Sequence, residues 1–311
     1  MVIDFHYHYP SQKIKEADGL KRAQSQIAVW YRSGRIQPEK PLPEMAKDRV
    51  DFSDDPDCAK LLRRMEEAGI DLSVIFAVDN DCKNTDEVTI MAAQKACANL
   101  ERRNPKKLIA FASIHPQRKN APELFRECIQ GLGMKGLKWH PAYGFFDPTS
   151  PEAYKVLRVA QELKVPLLTH TGSMYGMTNG RFSQPMLLDQ VALDFPELKI
   201  VAAHLGHLTW HEWCEVAYFK RSVYGDLSEW QIFAVGQDEW FCRTLREMID
   251  LVGAERIIFA SDGPYMELVF SNAKWVKFIK DLPRKAPPGI RFTEEEVSAI
   301  LGGNAQKILG I

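Results

Sequence analysis

The sequence predicts an α/β protein built as a (β/α)8 barrel, the TIM-barrel architecture. Three observations predict it. Eight short apolar runs alternate with longer segments of helical period along the 311 residues. Most of these runs lack the polar alternation of a sheet with one wet face, so they read as strands buried on both sides of a parallel sheet. Histidines and an aspartate fall at the ends of the runs, where barrels of this class carry their chemistry. A doubly wound sheet of about six strands would leave some of the runs unused.

In chain order, the first strand covers residues 2–6, with His8 just beyond. A segment of about residues 9–56 follows, holding Trp30-Tyr31-Arg32, Arg35 and several prolines. A stretch of that length in a compact domain carries its own helices or a function. The helix over 57–68 places Leu61, Leu62, Met65 and Ala68 at helical spacing and stops at Gly69. Strand 72–78, helix 87–103, strand 108–114, helix 122–131 and strand 136–140 come next. Helix 151–164 then leads into strand 165–170, and helix 184–195 into strand 199–204. Helix 210–220 and strand 222–227 follow, and helix 238–252 precedes strand 256–261. The tail, about 265–311, reads as a helix over 267–280, a Pro-rich turn over 282–288 and two short helices. Thr293-Glu294-Glu295-Glu296 is a capping box for the first of these, and Asn304 is the expected N-cap of the second, 305–309. With no internal repeat, residues 1–311 read as one barrel domain with an insertion and a helical extension.

Composition excludes several classes of function. Lys+Arg 40 against Asp+Glu 41 gives a net charge of −1, which favours neither a nucleic acid nor an anionic membrane as partner. At 45% hydrophobic and 26% charged residues, the chain is globular rather than disordered. Cys58, Cys82, Cys97, Cys128, Cys214 and Cys242 form no CxxC pair and read as reduced, mostly buried thiols. Met1-Val2-Ile3-Asp4-Phe5-His6 has no basic n-region, and no apolar run approaches the roughly 18 residues of a membrane span. The expected location is cytoplasmic. The expected partner is a small, anionic substrate molecule, and a homodimer is left open.

The polar residues at the strand ends carry the chemistry. His6 and His8 form an HxH pair at the first strand, so both side chains share a face. His115 follows the third strand, His140 ends the fourth, His170 the fifth and His204 the sixth, and Asp262 follows the eighth. His6 and His8 together can hold one ion at about 2.0–2.1 Å, with His170 and Asp262 completing the shell from across the barrel. Three neutral imidazoles and a carboxylate suit Zn2+ best, with Mn, Fe or Co as alternatives. One divalent metal is therefore the expected cofactor.

Six segments appear in order at barrel spacing: Ile3-Asp4-Phe5-His6-Tyr7-His8, Gly136-Leu137-Lys138-Trp139-His140-Pro141, Leu168-Thr169-His170-Thr171-Gly172, Val201-Ala202-Ala203-His204-Leu205-Gly206, Val223-Tyr224-Gly225-Asp226-Leu227-Ser228 and Phe259-Ala260-Ser261-Asp262-Gly263-Pro264. Together they resemble the amidohydrolase superfamily, in the branch that includes 2-amino-3-carboxymuconate-6-semialdehyde decarboxylase. The resemblance covers the chain outside residues 9–56. It implies that His6, His8, His170 and Asp262 bind one divalent metal, and that His204 is a general acid/base beside a metal-activated water. Asp262 would serve as ligand and proton acceptor together.

Binuclear members of the superfamily carry a carboxylated lysine on the fourth strand, so Lys138 has three readings: such a bridge, a cation facing a substrate carboxylate, or a structural ion pair. His140 shares its strand face and, with Tyr143, Phe145 and Phe146, is a candidate pocket wall. Arg32 and Arg35 are candidate carboxylate clamps from the insertion, against the plainer reading of solvated surface arginines. His207 and His211, four apart but without an HExxH pattern, read as surface or helix-cap residues, and the tryptophans as core or interface aromatics. The first functional reading is a metal-dependent hydrolase attacking a small carboxylated ester, lactone or amide. The alternative is a non-oxidative decarboxylase or hydratase of the same branch, acting on an aromatic or muconate-type acid. A non-catalytic binding barrel is the third.

Overall fold

Among the described residues, eight strands run in the predicted order and pair in parallel with their sequence neighbours inside two sheets. The computed structural model describes residues 1–9, 24, 27–31, 37–38, 40–174, 178–236 and 238–311. β1 (Ile3–His8), β2 (Leu72–Phe76) and β3 (Leu108–Ala110) form the first sheet. β4 (Leu137–Trp139), β5 (Leu167–His170), β6 (Ile200–Ala203), β7 (Val223–Asp226) and β8 (Ile257–Ile258) form the second.

Backbone hydrogen bonds join the sheets at both seams. Between β3 and β4, Ala112 N donates to Gly136 O at 2.8 Å and Lys138 N to Ala112 O at 2.7 Å. Between β8 and β1, Phe5 N donates to Phe259 O at 3.2 Å and His8 N to Gly263 O at 2.7 Å. The second seam needs a glycine, because a Cβ at Gly263 would lie 2.3 Å from the Tyr7 ring. The architecture is the eight-stranded barrel, with the C-terminal strand ends gathered at one mouth.

Several strands are shorter than their apolar runs, for a physical reason visible at β8. Phe259 N bonds Ile300 O at 2.8 Å, so its amide is spent on the tail while only its carbonyl continues the pairing with β1. β1 runs two residues beyond its predicted end and carries a bulge between Asp4 and Tyr7. Phe5 packs on Phe111 (ring centroids 5.6 Å) while the next residue, His6, packs on Phe76 (5.1 Å). Phe76 and Phe111 belong to one interior cluster with Val74, Leu168, Val201 and Ile258. The bulge thus turns two successive side chains inward and re-aims His6 and His8 over an apolar floor.

The remaining differences lie in the helices. The segment predicted over 122–131 is an α-helix, Ala121–Arg126, that widens into a π-turn, Glu127–Gly131. In the tail the helix runs Asn272–Lys285, straight through Pro283, so no turn begins at Leu282. Its last turn is held by Asp281, which pairs with Lys277, Arg284 and Lys285. That compensates for the single backbone bond a proline removes near a helix end. The capping box at Thr293 forms as expected. Asn304 does not cap: it is helical (φ −73°, ψ −41°), and its Nδ2 donates to Ala254 O and Ile257 O at 2.8 Å each. It ties the last helix to β8 instead.

Within the insertion, the helix Leu42–Ser53 places Met45 and Ala46 in a small cluster with Ile27, Trp30 and Met266. This packs the insertion onto the segment after β8. Arg32 and Arg35 lie outside the described residues. Among the described residues no helix is long and apolar enough to cross a membrane.

Candidate metal centre

At the mouth the Nε2 atoms of His6 and His8 are 3.2 Å apart, and Asp262 Oδ1 lies 3.1 Å from the first and 3.4 Å from the second. Donor atoms sharing one ion at about 2.0–2.1 Å are separated by roughly 3.0–3.4 Å, so three donors already stand at ligand spacing. Asp262 Oδ1 is buried and has no aligned hydrogen-bond partner among the described residues. Leaving such an atom unpaired costs about 1–3 kcal/mol, and a cation removes that cost. Two imidazoles and a carboxylate therefore fit a divalent ion.

His6 is oriented from behind. Its Nδ1 is 3.1 Å from Asp226 Oδ2 and 3.1 Å from Ser228 Oγ. A carboxylate behind the ring fixes the tautomer with hydrogen on Nδ1 and turns the Nε2 lone pair toward the mouth. Burial, then the charge of Lys138, holds both His6 and His8 well below the usual histidine range. Neutral rings are the ligating form. Burial, reinforced by Glu229, raises the Asp262 carboxyl well above its ordinary value. Those directions describe the protein side chains alone, and an ion between them would draw the carboxylate back to its charged form.

The other expected residues take varied positions. His170 does not join the three-donor cluster. Its ring stacks on His140 at 4.0 Å and meets His204 edge-on at 4.7 Å, with Nε2 3.2 Å from Gly172 O. Its Nδ1 is buried without a partner among the described residues. His140 also accepts from Tyr143 N at 3.4 Å, and the two rings are 4.5 Å apart. Lys138 is fully buried, its Nζ 3.1 Å from His6 Nε2 and 4.9 Å above the Phe76 ring. Among the described residues no carboxylate lies within salt-bridge distance of it, and burial lowers its pKa to about 8 against the opposing charges of Asp226, Asp262 and Glu229. His115 is held by its neighbours: Nε2 lies 2.9 Å from Gly144 O, and its backbone N donates to Asp79 Oδ2 at 2.7 Å.

His204 is bound on every side but one. Its backbone N donates to Asp226 Oδ1 at 3.0 Å, and Trp230 Nε1 donates to its carbonyl at 2.8 Å. Its Nδ1 is 2.8 Å from Ser228 Oγ and 3.1 Å from Ser228 O. A carbonyl only accepts, so Nδ1 carries the hydrogen and Nε2 is the bare nitrogen.

Sequence reasoning assigned no role in the site to Asp226, Ser228, Glu229 or His207. Asp226 is fully buried and joins His6 to His204, and Ser228 Oγ bonds the same carboxylate. The rule that strand ends carry chemistry would have found Asp226, the last residue of β7. His207 is not a surface residue: it is 9% exposed, with Nε2 2.8 Å from Glu229 Oε2. Leu205, Gly206 and His207 all have positive φ, and this bend folds His207 back under His204. No periodicity signals such a turn. His211, by contrast, is exposed and stacks on Trp210 at 3.5 Å, as a surface residue would.

A parallel barrel with imidazoles and carboxylates converging at its C-terminal mouth defines a class, the metal-dependent (β/α)8 enzymes. Residues 3–311 match the family model described as Amidohydrolase, and the chain belongs to that family. Solved structures match it along its whole length. A 5-carboxyvanillate decarboxylase from Sphingomonas paucimobilis is 18% identical with a TM-score of 0.69, covering 100% of this chain and 99% of that one. The 5-carboxyvanillate decarboxylase of Novosphingobium aromaticivorans, complexed with manganese and 4-hydroxy-3-methoxy-5-nitrobenzoic acid, is 15% identical with a TM-score of 0.70, covering 100% and 96%. A 4-oxalomesaconate hydratase from Rhodopseudomonas palustris is 17% identical with a TM-score of 0.63, covering 100% and 96%. Comparison with curated protein sequences returns no match.

Proposed function

We propose that this enzyme is a metal-dependent, non-oxidative decarboxylase of an aromatic or muconate-type acid, the alternative rather than the first reading of the sequence. The observation that carries it is the convergence of His6, His8 and Asp262 at the mouth of a barrel matched along its whole length by two decarboxylases. The aromatic rings around the cluster suit a planar acid. Phe76 lies 4.9 Å and Tyr265 5.2 Å from the His8 ring. Hydration of an unsaturated acid is the second reading, favoured by the hydratase match.

His6, His8 and Asp262, with His170 as fourth ligand, would hold one divalent ion. Zn2+ suits the imidazole-rich set, and Mn2+ is the ion bound in the Novosphingobium relative. Such an ion supplies Lewis acidity, fixing an anionic substrate and drawing charge from it. The protein does the rest. Asp226 keeps the His6 lone pair forward. His140 and Tyr143 wall the mouth. Lys138, close to His6, adds positive potential beneath the substrate.

His204 handles the proton. Its Nε2 is the nitrogen free to exchange one, while Ser228 holds Nδ1 and fixes the plane of the ring. In decarboxylation the bond between the substrate carbon and its carboxylate breaks and carbon dioxide leaves. The electron pair remains on that carbon, and a proton that His204 Nε2 first takes from water and then passes on replaces the lost group. In hydrolysis the same histidine would serve a water, which is why the residues alone suit both reactions.

The test is a substrate panel of hydroxylated aromatic carboxylates and muconate-type acids, scored for carbon dioxide release by enzyme loaded with one equivalent of Mn2+ or Zn2+. Ester, lactone and amide substrates are scored for hydrolysis beside it. The proposal expects metal-dependent carbon dioxide release. Hydrolysis of the second set with no release from the first overturns it.

A further inference from the structure

Beside the first cluster, the mouth holds a second convergence of ligand-type side chains that the proposed reaction does not use as ligands. His204, His207 and Glu229 each bring one donor atom within 4.8 Å of the other two, and all three residues are buried. His207 Nε2 lies 2.8 Å from Glu229 Oε2, yet this buried nitrogen has no aligned hydrogen bond among the described residues. Asp262 Oδ1 shows the same signature, 3.1 Å from His6 Nε2 and also unaligned. Two imidazoles and a carboxylate gathered at such separations are spaced for one shared ion.

The second group is also held in place. The His204 and His207 rings stack at 4.7 Å and 17°, so their edges lie side by side. Because Ser228 occupies Nδ1 of His204, its Nε2 is the atom on offer. His207 reaches its position through a backbone at φ 52°, ψ −122°. A Cβ at Gly172 would stand 2.8 Å from His207 Nδ1, so glycine alone admits the ring there.

We propose that His204, His207 and Glu229 form a second divalent-cation site, distinct from the one at His6, His8 and Asp262. Two imidazoles and a carboxylate take an ion of the Zn2+, Mn2+, Co2+ or Fe2+ type. The clusters share no residue, so each can be removed by its own substitution. A consequence follows that rests on the proposed role of His204: its Nε2 cannot bind an ion and exchange a proton together, so an ion here silences the enzyme. The site itself does not depend on the reaction.

Chelator-stripped protein titrated with Mn2+ tests the proposal, with bound ion counted by electron paramagnetic resonance and elemental analysis. Wild type is expected to saturate at about two ions per chain, and Glu229→Gln and His8→Ala at about one each. Glu229→Gln keeps the size of the side chain and decides the matter if His207→Ala fails to fold. Saturation of wild type at one ion overturns the proposal, and so does a Glu229→Gln protein that still binds two. Neither result bears on which substrate is decarboxylated.

Discussion

The two ends of the barrel are built from the same strands and are made for different work. At the bottom, Ile3, Leu72, Ala305 and Ile308 share an apolar cluster, and Gly302 lies so close to Met1 that a Cβ would stand 2.4 Å from its carbonyl oxygen. At the mouth, His6, Lys138, His170, His204, Asp226 and Asp262 are all buried. Strain divides the same way. His204, Leu205, His207, Glu229 and Asp262, all non-glycine residues at the mouth, have positive φ. Among the described residues of that kind, Lys164 alone lies in a turn that leads from a helix into a strand. Backbone held in such regions costs on the order of 1–3 kcal/mol per residue and persists where surroundings over-determine it. The bottom stabilises the fold, and the mouth draws on that stability to hold polar groups poised.

This division can be broken from either end. The largest effect is expected at the first cluster: His6→Ala with His8→Ala should lose that ion and reduce turnover to background, read by metal analysis and carbon dioxide release. Full metal retention would dissolve the centre. Next, His204→Ala should lower kcat by roughly 10²–10⁴-fold while the His6–His8–Asp262 ion stays bound, the pattern of a lost proton carrier. A matching loss of that ion would instead make His204 its ligand. Asp226→Asn removes the carboxylate behind His6 and should weaken metal binding by about 10–100-fold, measured by competition with a chelator. At the bottom, Ile308→Ala should cost about 2–5 kcal/mol of stability in denaturant titration with kcat unchanged. A fall in kcat there would mean that the two ends are coupled.

The same division explains what the sequence could convey. Barrel strands are buried on both faces, so their apolar runs stood out, and histidines at their ends marked the mouth. Chemistry that follows from strand periodicity was therefore readable, as with His6 and His8. What depended on tertiary detail was not. The bulge in β1, the left-handed run that folds His207 inward and the diversion of Phe259 to the tail all arise from contacts between distant segments. Asn304 has the composition of a cap, but two carbonyls near β8 claim its amide. Pro283 falls in the last turn of its helix, where it removes a single backbone bond, and the helix still runs to Lys285. Decarboxylation and hydrolysis were inseparable in sequence because both need the same ligands and the same proton carrier.

The central claim is that His6, His8 and Asp262 jointly hold a catalytic divalent ion. Crystals of the Mn2+-loaded enzyme, measured for anomalous scattering, test it most directly. The account predicts a peak about 2.0–2.3 Å from His6 Nε2, His8 Nε2 and an Asp262 carboxylate oxygen. Active, metal-containing crystals with no peak between those three atoms would contradict it.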